Sequence, residues 1–270
     1  MPIPLPDEIV AKGPETAPNL SLTFYKRADV YESNSFKKTI TEKTSFFSKL
    51  IELSTKPDYV NAFMIRKQLI DGVGVAIDMT TASRLVCGMG YEHPLENGFM
   101  FDWTTGLPLI PGSSLKGAAL RAAEEIRDHG TDDEMRLLFE TTNQETINNS
   151  IDQIFGRKDG SGAVVFFTAH PCLNDDQKFL ELDVITPHYQ QYYSNPDKPN
   201  EYPPADWYSP VPIHFLTVPA GVKYCFRLAN RKNLKDSTSG LLKIASRILC
   251  HALTESGVGA KTNVFYGYFK

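Results

Sequence analysis

Residues 111–128 read PGSSLKGAALRAAEEIRD, and the order of elements around this stretch decides the fold. Small polar residues ahead of a periodic Ala/Leu/Glu run mark a helix start, with Ser113 or Ser114 as the expected N-cap. Leu115, Ala118, Ala119, Ala122 and Ile126 fall at helical spacing and supply an inward face. Upstream, Thr81 to Met89 has the alternating look of a strand closed by Gly88 and Gly90. A further strand is expected within 97–110, punctuated by Gly98, Gly106 and Pro108. Downstream, 162–168 (GAVVFFT) is the strongest strand pattern and Leu180 to Ile185 a second. Val211 to Leu228 holds two more around the turn Pro219-Ala-Gly221. Leu241 to Thr254 is an amphipathic helix stopped by Gly257, and Val264 to Phe269 reads as a final strand.

The succession strand, helix, strand, strand, helix, strand predicts an α+β fold with a ferredoxin-like (RRM-like) βαββαβ core carrying long insertions. This domain is expected over 81–270, with a long Pro/Tyr-rich loop at 186–212. Residues 1–80 read as an N-terminal extension that is partly helical. It opens on a proline-rich lead-in, with helices expected near Phe36–Leu53 and Val60–Ile70. RNA-recognition modules share the sheet-plus-two-helices layout, although a fold alone licenses no function.

Composition narrows the classes. The 270 residues are 41% hydrophobic, enough for a substantial core, and the formal net charge is −4. No apolar run is long enough to cross a membrane, and the start MPIPLPDEIV has neither a basic nor an apolar leader region. A cytoplasmic chain with no membrane partner is expected. Cys87, Cys172, Cys225 and Cys250 are scattered, which argues against a disulfide framework or structural zinc. Charge is uneven: 220–270 carries nine basic and two acidic residues, against six basic and seventeen acidic in 122–220. Two readings stand, a polyanion-binding face or charged helix surfaces.

Two motifs have something to offer an anion. Ser113, Ser114 and Lys116 sit at a helix N-terminus, where unpaired amides and the helix dipole favour a phosphate, flanked by Gly112 and Gly117. From this string alone an ordinary Ser cap with a solvated lysine is the commoner reading. The second is Gly257-Val-Gly259-Ala-Lys261-Thr262, whose glycines free the main chain to form an amide-lined concavity, with Lys261 and Thr262 as phosphate contacts. The alternative there is a helix cap and turn. The P-loop string is absent, and too few residues follow Thr262 for a dinucleotide fold. No nucleophile elbow, HExxH string or His pair at ligand spacing occurs, so no catalytic set, metal or cofactor is expected.

Together these pieces resemble the RAMP superfamily of CRISPR proteins, in particular RAMP subunits of type III-B (Cmr) RNA-targeting effector complexes. The likeness rests on SRLVCGMGYEHPLENG (83–98), GLPLIPGSSLKGAALRAA (106–123), the blocks GAVVFFTAHP, LDVITPHYQQYY and PPADWYSPVPIHFLTV between 162 and 218, and GVGAKTNVFYGYF (257–269). The last is similar to the superfamily's glycine-rich loop, except that Phe265 stands where a glycine is usual. The resemblance implies a non-catalytic RNA-binding subunit in antiviral defence. Such a subunit contacts guide (CRISPR) RNA near its 3′ end, caps the complex, and has target RNA and other Cmr subunits as partners. Ser113, Ser114, Lys116, Gly257, Gly259, Lys261 and Thr262 are its expected RNA contacts. The alternative is a metal-independent endoribonuclease of the guide-processing RAMP type, for which His93, His188 and Tyr189 are the candidates.

Overall fold

The computed structural model describes residues 19–26, 43–55, 58–157, 160–174, 177–205, 207–235 and 239–270. The proline-rich lead-in, the first residues of the helix expected from Phe36 and the pair Asp175-Asp176 lie outside them.

Three helices open the described chain: α1 (Leu20–Lys26), α2 (Lys43–Leu53) and α3 (Asp58–Ile70). They are followed by β1 (Val75–Thr80), α4 (Gly112–His129), α5 (Asp132–Phe139), α6 (Gln144–Phe155), and a small hairpin, β2 (Gly156–Arg157) and β3 (Gly160–Ser161). Then come β4 (Val164–Phe166), β5 (His170–Pro171), β6 (Glu181–Ile185), α7 (Gln190–Ser194), β7 (Ile213–Thr217), β8 (Lys223–Asn230) and α8 (Gly240–His251). The fold is mixed α+β with antiparallel sheets.

β8 is the centre of the main sheet. Val75 to Thr80 pair antiparallel with Leu228 to Lys223 on one side, while β4 and β5 pair with β8 on the other. Along the outer edge of β1, Thr80 exchanges hydrogen bonds with Lys270 and Thr81 bridges Phe269. Tyr224, Phe226 and Leu228 are fully buried and alternate with Lys223 and Cys225, the signature of a sheet with one face in the core. Helices α4 and α8 pack against each other and onto this sheet. Their meeting faces are small and branched, with Ala119 and Ala123 opposed by an α8 stripe of Leu242, Ala245, Ile248 and Leu249, all buried. α5 starts on a complete capping box between Thr131 and Glu134, and α6 on an Asn143 cap.

The helices before β1 pack on the body. Phe46, Phe47, Leu50 and Leu53 of α2 are buried where that helix meets the β6–β7 ribbon. Asn19 at the start of α1 donates to the carbonyls of Trp103 (2.9 Å) and Thr104 (3.1 Å), and Tyr25 donates to Phe99 O (2.5 Å).

Several expectations need correction. The first strand is Val75–Thr80, not Thr81 to Met89. The backbone of 82–87 pairs piecemeal with Tyr268, Gly267, Val218, Ala260 and Met100, so no ladder forms. Within 97–110 there are only bridges, Phe101 with Pro108 and Ile110 with Ala169. β7 and β8 exist but do not pair with each other: β7 joins β6 in a separate ribbon. The 186–212 segment contains α7. No strand runs from Val264 to Phe269, because Lys261, Phe265 and Gly267 all have positive φ and break the extended backbone. Finally, neither Ser113 nor Ser114 caps α4. Pro111 holds that position with no side-chain cap bond.

Candidate nucleic-acid interface

α4 presents a stripe of one spacing family, Ser114, Gly117, Ala118 and Arg121, beside Pro111 at its start. These positions are three, four and seven apart, so they share one face of the helix. Opposite them lies the glycine-rich loop. Gly257 ends the helical chain at φ +71°, its amide bonded to Ala252 O at 2.9 Å. The chain then crosses the 84–87 segment, with Ala260 N–H bonded to Val86 O at 2.8 Å and Gly267 N–H to Arg84 O at 2.7 Å. Gly259, at φ +98°, passes so close that a Cβ would sit 2.5 Å from Val86 O, so only glycine fits. Val258, Gly259 and Ala260 thereby form the second wall, and Cys87 to Gly90 with Met100 form the end.

The result is an open groove of about 580 Å3 in which the two motifs meet. Four glycines line it (Gly88, Gly90, Gly117 and Gly259), so a ligand can approach the main chain closely. Arg121 is the one charged side chain in the lining, exposed and without an ion pair among the described residues. Burial pushes the Cys87 thiol up to about 12, so it stays protonated and is a poor nucleophile. Arg121 and the Ser114 hydroxyl are donors an anion can use, set among the apolar side chains of Met89, Met100 and Val258.

The expected contacts divide. Ser114 and Gly259 line the groove; Ser113 is exposed in the same first turn of α4. Gly257 is buried and shapes the loop, with a would-be Cβ 3.2 Å from Gly267 O. Lys116 and Lys261 are not in the lining. Lys116 follows Ser114 by two residues and so points to another side of α4. The Lys261 ammonium lies 5.7 Å and 5.8 Å from the ring centroids of Tyr266 and Phe215, a cation–π contact. Thr262 opens the short 3-10 turn Thr262–Val264. Arg121 was missed by sequence reasoning, yet the signal was there: it sits seven residues after Ser114.

Most other candidates have partners of their own. A second concavity of about 600 Å3 lies between α6 and the β2–β3 hairpin; of its three basic residues Arg157 pairs with Asp152 and Arg231 donates to Gly162 O, while Lys232 has no ion pair among the described residues. Three of the nine basic residues of 220–270 are held in ion pairs: Lys223 with Asp78, Arg227 with Asp71 and Arg247 with Glu140. Both ring nitrogens of His93 are occupied, Nδ1 accepting from Leu95 N–H and Nε2 facing Phe24 O at 2.9 Å. His188 is exposed. Among the described residues, no group of three or more His, Cys, Asp or Glu is placed to hold a metal, and no helix is long and apolar enough to cross a membrane.

The RAMP superfamily model matches residues 78–270, taking in both walls of the groove. The chain belongs to the RAMP superfamily. Among curated RAMP relatives it is 34% identical over 229 residues to the CRISPR system Cmr subunit Cmr6 of Pyrococcus furiosus, covering 69% of this chain. The chain spans 65% of that relative's length. It is 27% identical over 252 residues to Cmr6 of Saccharolobus solfataricus, covering 91% of this chain and 74% of that one. Among solved structures, a chain of the type III-B Cmr-beta complex bound to cognate target RNA aligns with a TM-score of 0.54 at 22% identity. That alignment covers 88% of this chain and 75% of the other, and it shows a shared fold. The resemblance read from the sequence is borne out.

Proposed function

We propose that this RAMP protein is an RNA-binding subunit of a type III-B CRISPR effector complex. On this reading it holds the sugar–phosphate backbone of guide RNA near its 3′ end, caps the complex beside bound target RNA, and performs no chemistry. The observation that carries the reading is the meeting of the PGSSLKG helix start and the glycine-rich loop in one groove bearing the unpaired Arg121. Its relatives are Cmr subunits, which supports membership of such a complex. The strand order Phe269/Lys270, β1, β8, β4 supports a reduced ferredoxin-like core whose last strand has shrunk to a bridge. Ser114, Gly259 and Arg121 make the groove contacts, with Ser113, Lys116, Gly257, Lys261 and Thr262 flanking or shaping it.

Arg121→Ala is expected to weaken binding of single-stranded RNA and to lower the salt slope of log K by about one unit, as loss of one phosphate contact does. Titration at several salt concentrations measures both. Unchanged affinity and slope in Arg121→Ala, Lys116→Ala and Lys261→Ala together rule the interface out. Incubation with repeat RNA without metal is expected to leave it intact; site-specific cleavage to 2′,3′-cyclic phosphate ends overturns the non-catalytic assignment.

A further inference from the structure

Phe265 sits at the tip of the glycine-rich loop in an arrangement that packing alone disfavours. Its φ is +64°, in the left-handed region where a bulky side chain is strained, and its ring is 75% exposed. Val264 beside it is 57% exposed. The tip is firmly held in this shape. Val264 N–H donates to Lys261 O (3.1 Å), Phe265 N–H to Thr262 O (3.0 Å) and Tyr266 N–H to Lys261 O (3.3 Å). Below it the loop is tied by Val258 N–H to Gly267 O (3.0 Å) and Gly267 N–H to Arg84 O (2.7 Å). The Tyr268 ring lies 6.0 Å away at a 40° tilt, so among the described residues the exposed face of Phe265 has one aromatic neighbour and no cover. A chain that tolerates strain to present a flat ring in water has a use for that ring.

We propose that Phe265 is a base-stacking residue: a nucleobase of the single-stranded RNA whose backbone occupies the groove stacks on its ring. The inference rests on the functional reading above and extends it to a residue outside the groove lining. The same loop that carries Phe265 supplies Val258, Gly259 and Ala260 to the groove wall, and backbone hydrogen bonds tie the two parts of that loop together. A backbone trough paired with an exposed aromatic face is the combination by which proteins hold single strands with little sequence preference. No acidic residue occurs in 257–270, and the Asp183 carboxylate that reaches this loop from β6 is occupied by the Tyr266 hydroxyl and the Arg84 guanidinium.

The test uses the full chain and a single-stranded RNA carrying 2-aminopurine at successive positions. Phe265→Gly is expected to raise the melting temperature, since glycine is relaxed at this φ, while weakening RNA binding about 5- to 100-fold with an unchanged salt slope. Phe265→Trp is expected to keep both affinity and the fluorescence quenching of one stacked base. Phe265→Gly with full affinity, while Arg121→Ala weakens binding, overturns the stacking role alone. If neither variant weakens binding, the groove assignment falls with it. Phe265→Gly that binds RNA normally but no longer assembles with the other complex subunits makes the ring a protein contact and likewise overturns the proposal.

Discussion

Asp102 shows how one side chain joins three parts of the chain. Its Oδ1 accepts from Thr104 N–H (2.9 Å), the Thr104 hydroxyl (2.7 Å) and Thr105 N–H (3.1 Å). Its Oδ2 faces His170 Nε2 of β5 at 2.9 Å and the Arg66 guanidinium of α3 at 3.3 Å. The hydrogen bond from His170, then those from Thr104 and Thr105, hold the carboxyl well below the usual carboxylate range. Burial lowers the His170 pKa, and the Asp102 carboxylate offsets this only in part. Both shifts are downward, so both groups bind protons more readily unfolded. His170 therefore contributes stability above its unfolded value near 6.5 that fades as pH falls below it, and Asp102 contributes stability above about 4 that is lost below that. Thermal melts are expected to show a falling Tm from pH 7 to 5, and His170→Gln to flatten that limb. Asp102→Ala, which strands buried donors, is expected to cost about 3–5 kcal/mol in denaturant titration. None of this was legible from His170-Pro171 in sequence, because its partner Asp102 lies 68 positions away and Arg66, which shares that carboxylate, lies 104 away.

At the scale of the element, α4 was the most readable part of the sequence. Its alanine and leucine spacing names the buried face correctly: Leu115, Ala118, Ala119, Ala122 and Ile126 are all buried. The cap was misread, because Pro111 supplies the preset φ of −59° and Gly112 must be small to pass the sheet. A Cβ on Gly112 would fall 2.1 Å from Phe166 O. Gly117 differs: nothing lies within 4 Å of its would-be Cβ, so it is not glycine for packing. Gly117→Ala is expected to stabilise the helix by about 0.5–1 kcal/mol, read as a higher midpoint in urea. The same methyl stands in the groove, so RNA affinity is expected to drop. A stabilised variant that binds as before places the backbone of the ligand away from α4.

Over the whole molecule, the N-terminal helices are part of the same packed body as the RAMP region. Phe47 is completely buried in the contact between α2 and the β6–β7 ribbon, and Tyr59 meets Phe179 edge-on with ring centroids 5.5 Å apart. Phe47→Ala is expected to lower stability by about 3–5 kcal/mol while unfolding stays a single transition, followed by near-UV and far-UV circular dichroism together. Two separated transitions make 1–80 an independent extension. The positive charge of 220–270 is partly offset in three dimensions, since three of its nine basic residues, Lys223, Arg227 and Arg247, pair with Asp78, Asp71 and Glu140.

From residue order alone came the helices α2, α3, α4 and α8, the strands β4, β6, β7 and β8, and both loops that meet at the groove. Those depend on local periodicity and on glycine's backbone freedom, which neighbours in sequence already express. Tertiary structure decided the rest. It chose which strands pair, splitting β7 from β8; it gave 82–87 to five partners in place of one; it brought α4 and the glycine-rich loop together in one groove and set the Lys261 ammonium against the rings of Tyr266 and Phe215. Those outcomes are settled by contacts between residues far apart in the chain, whose free energies no local pattern encodes.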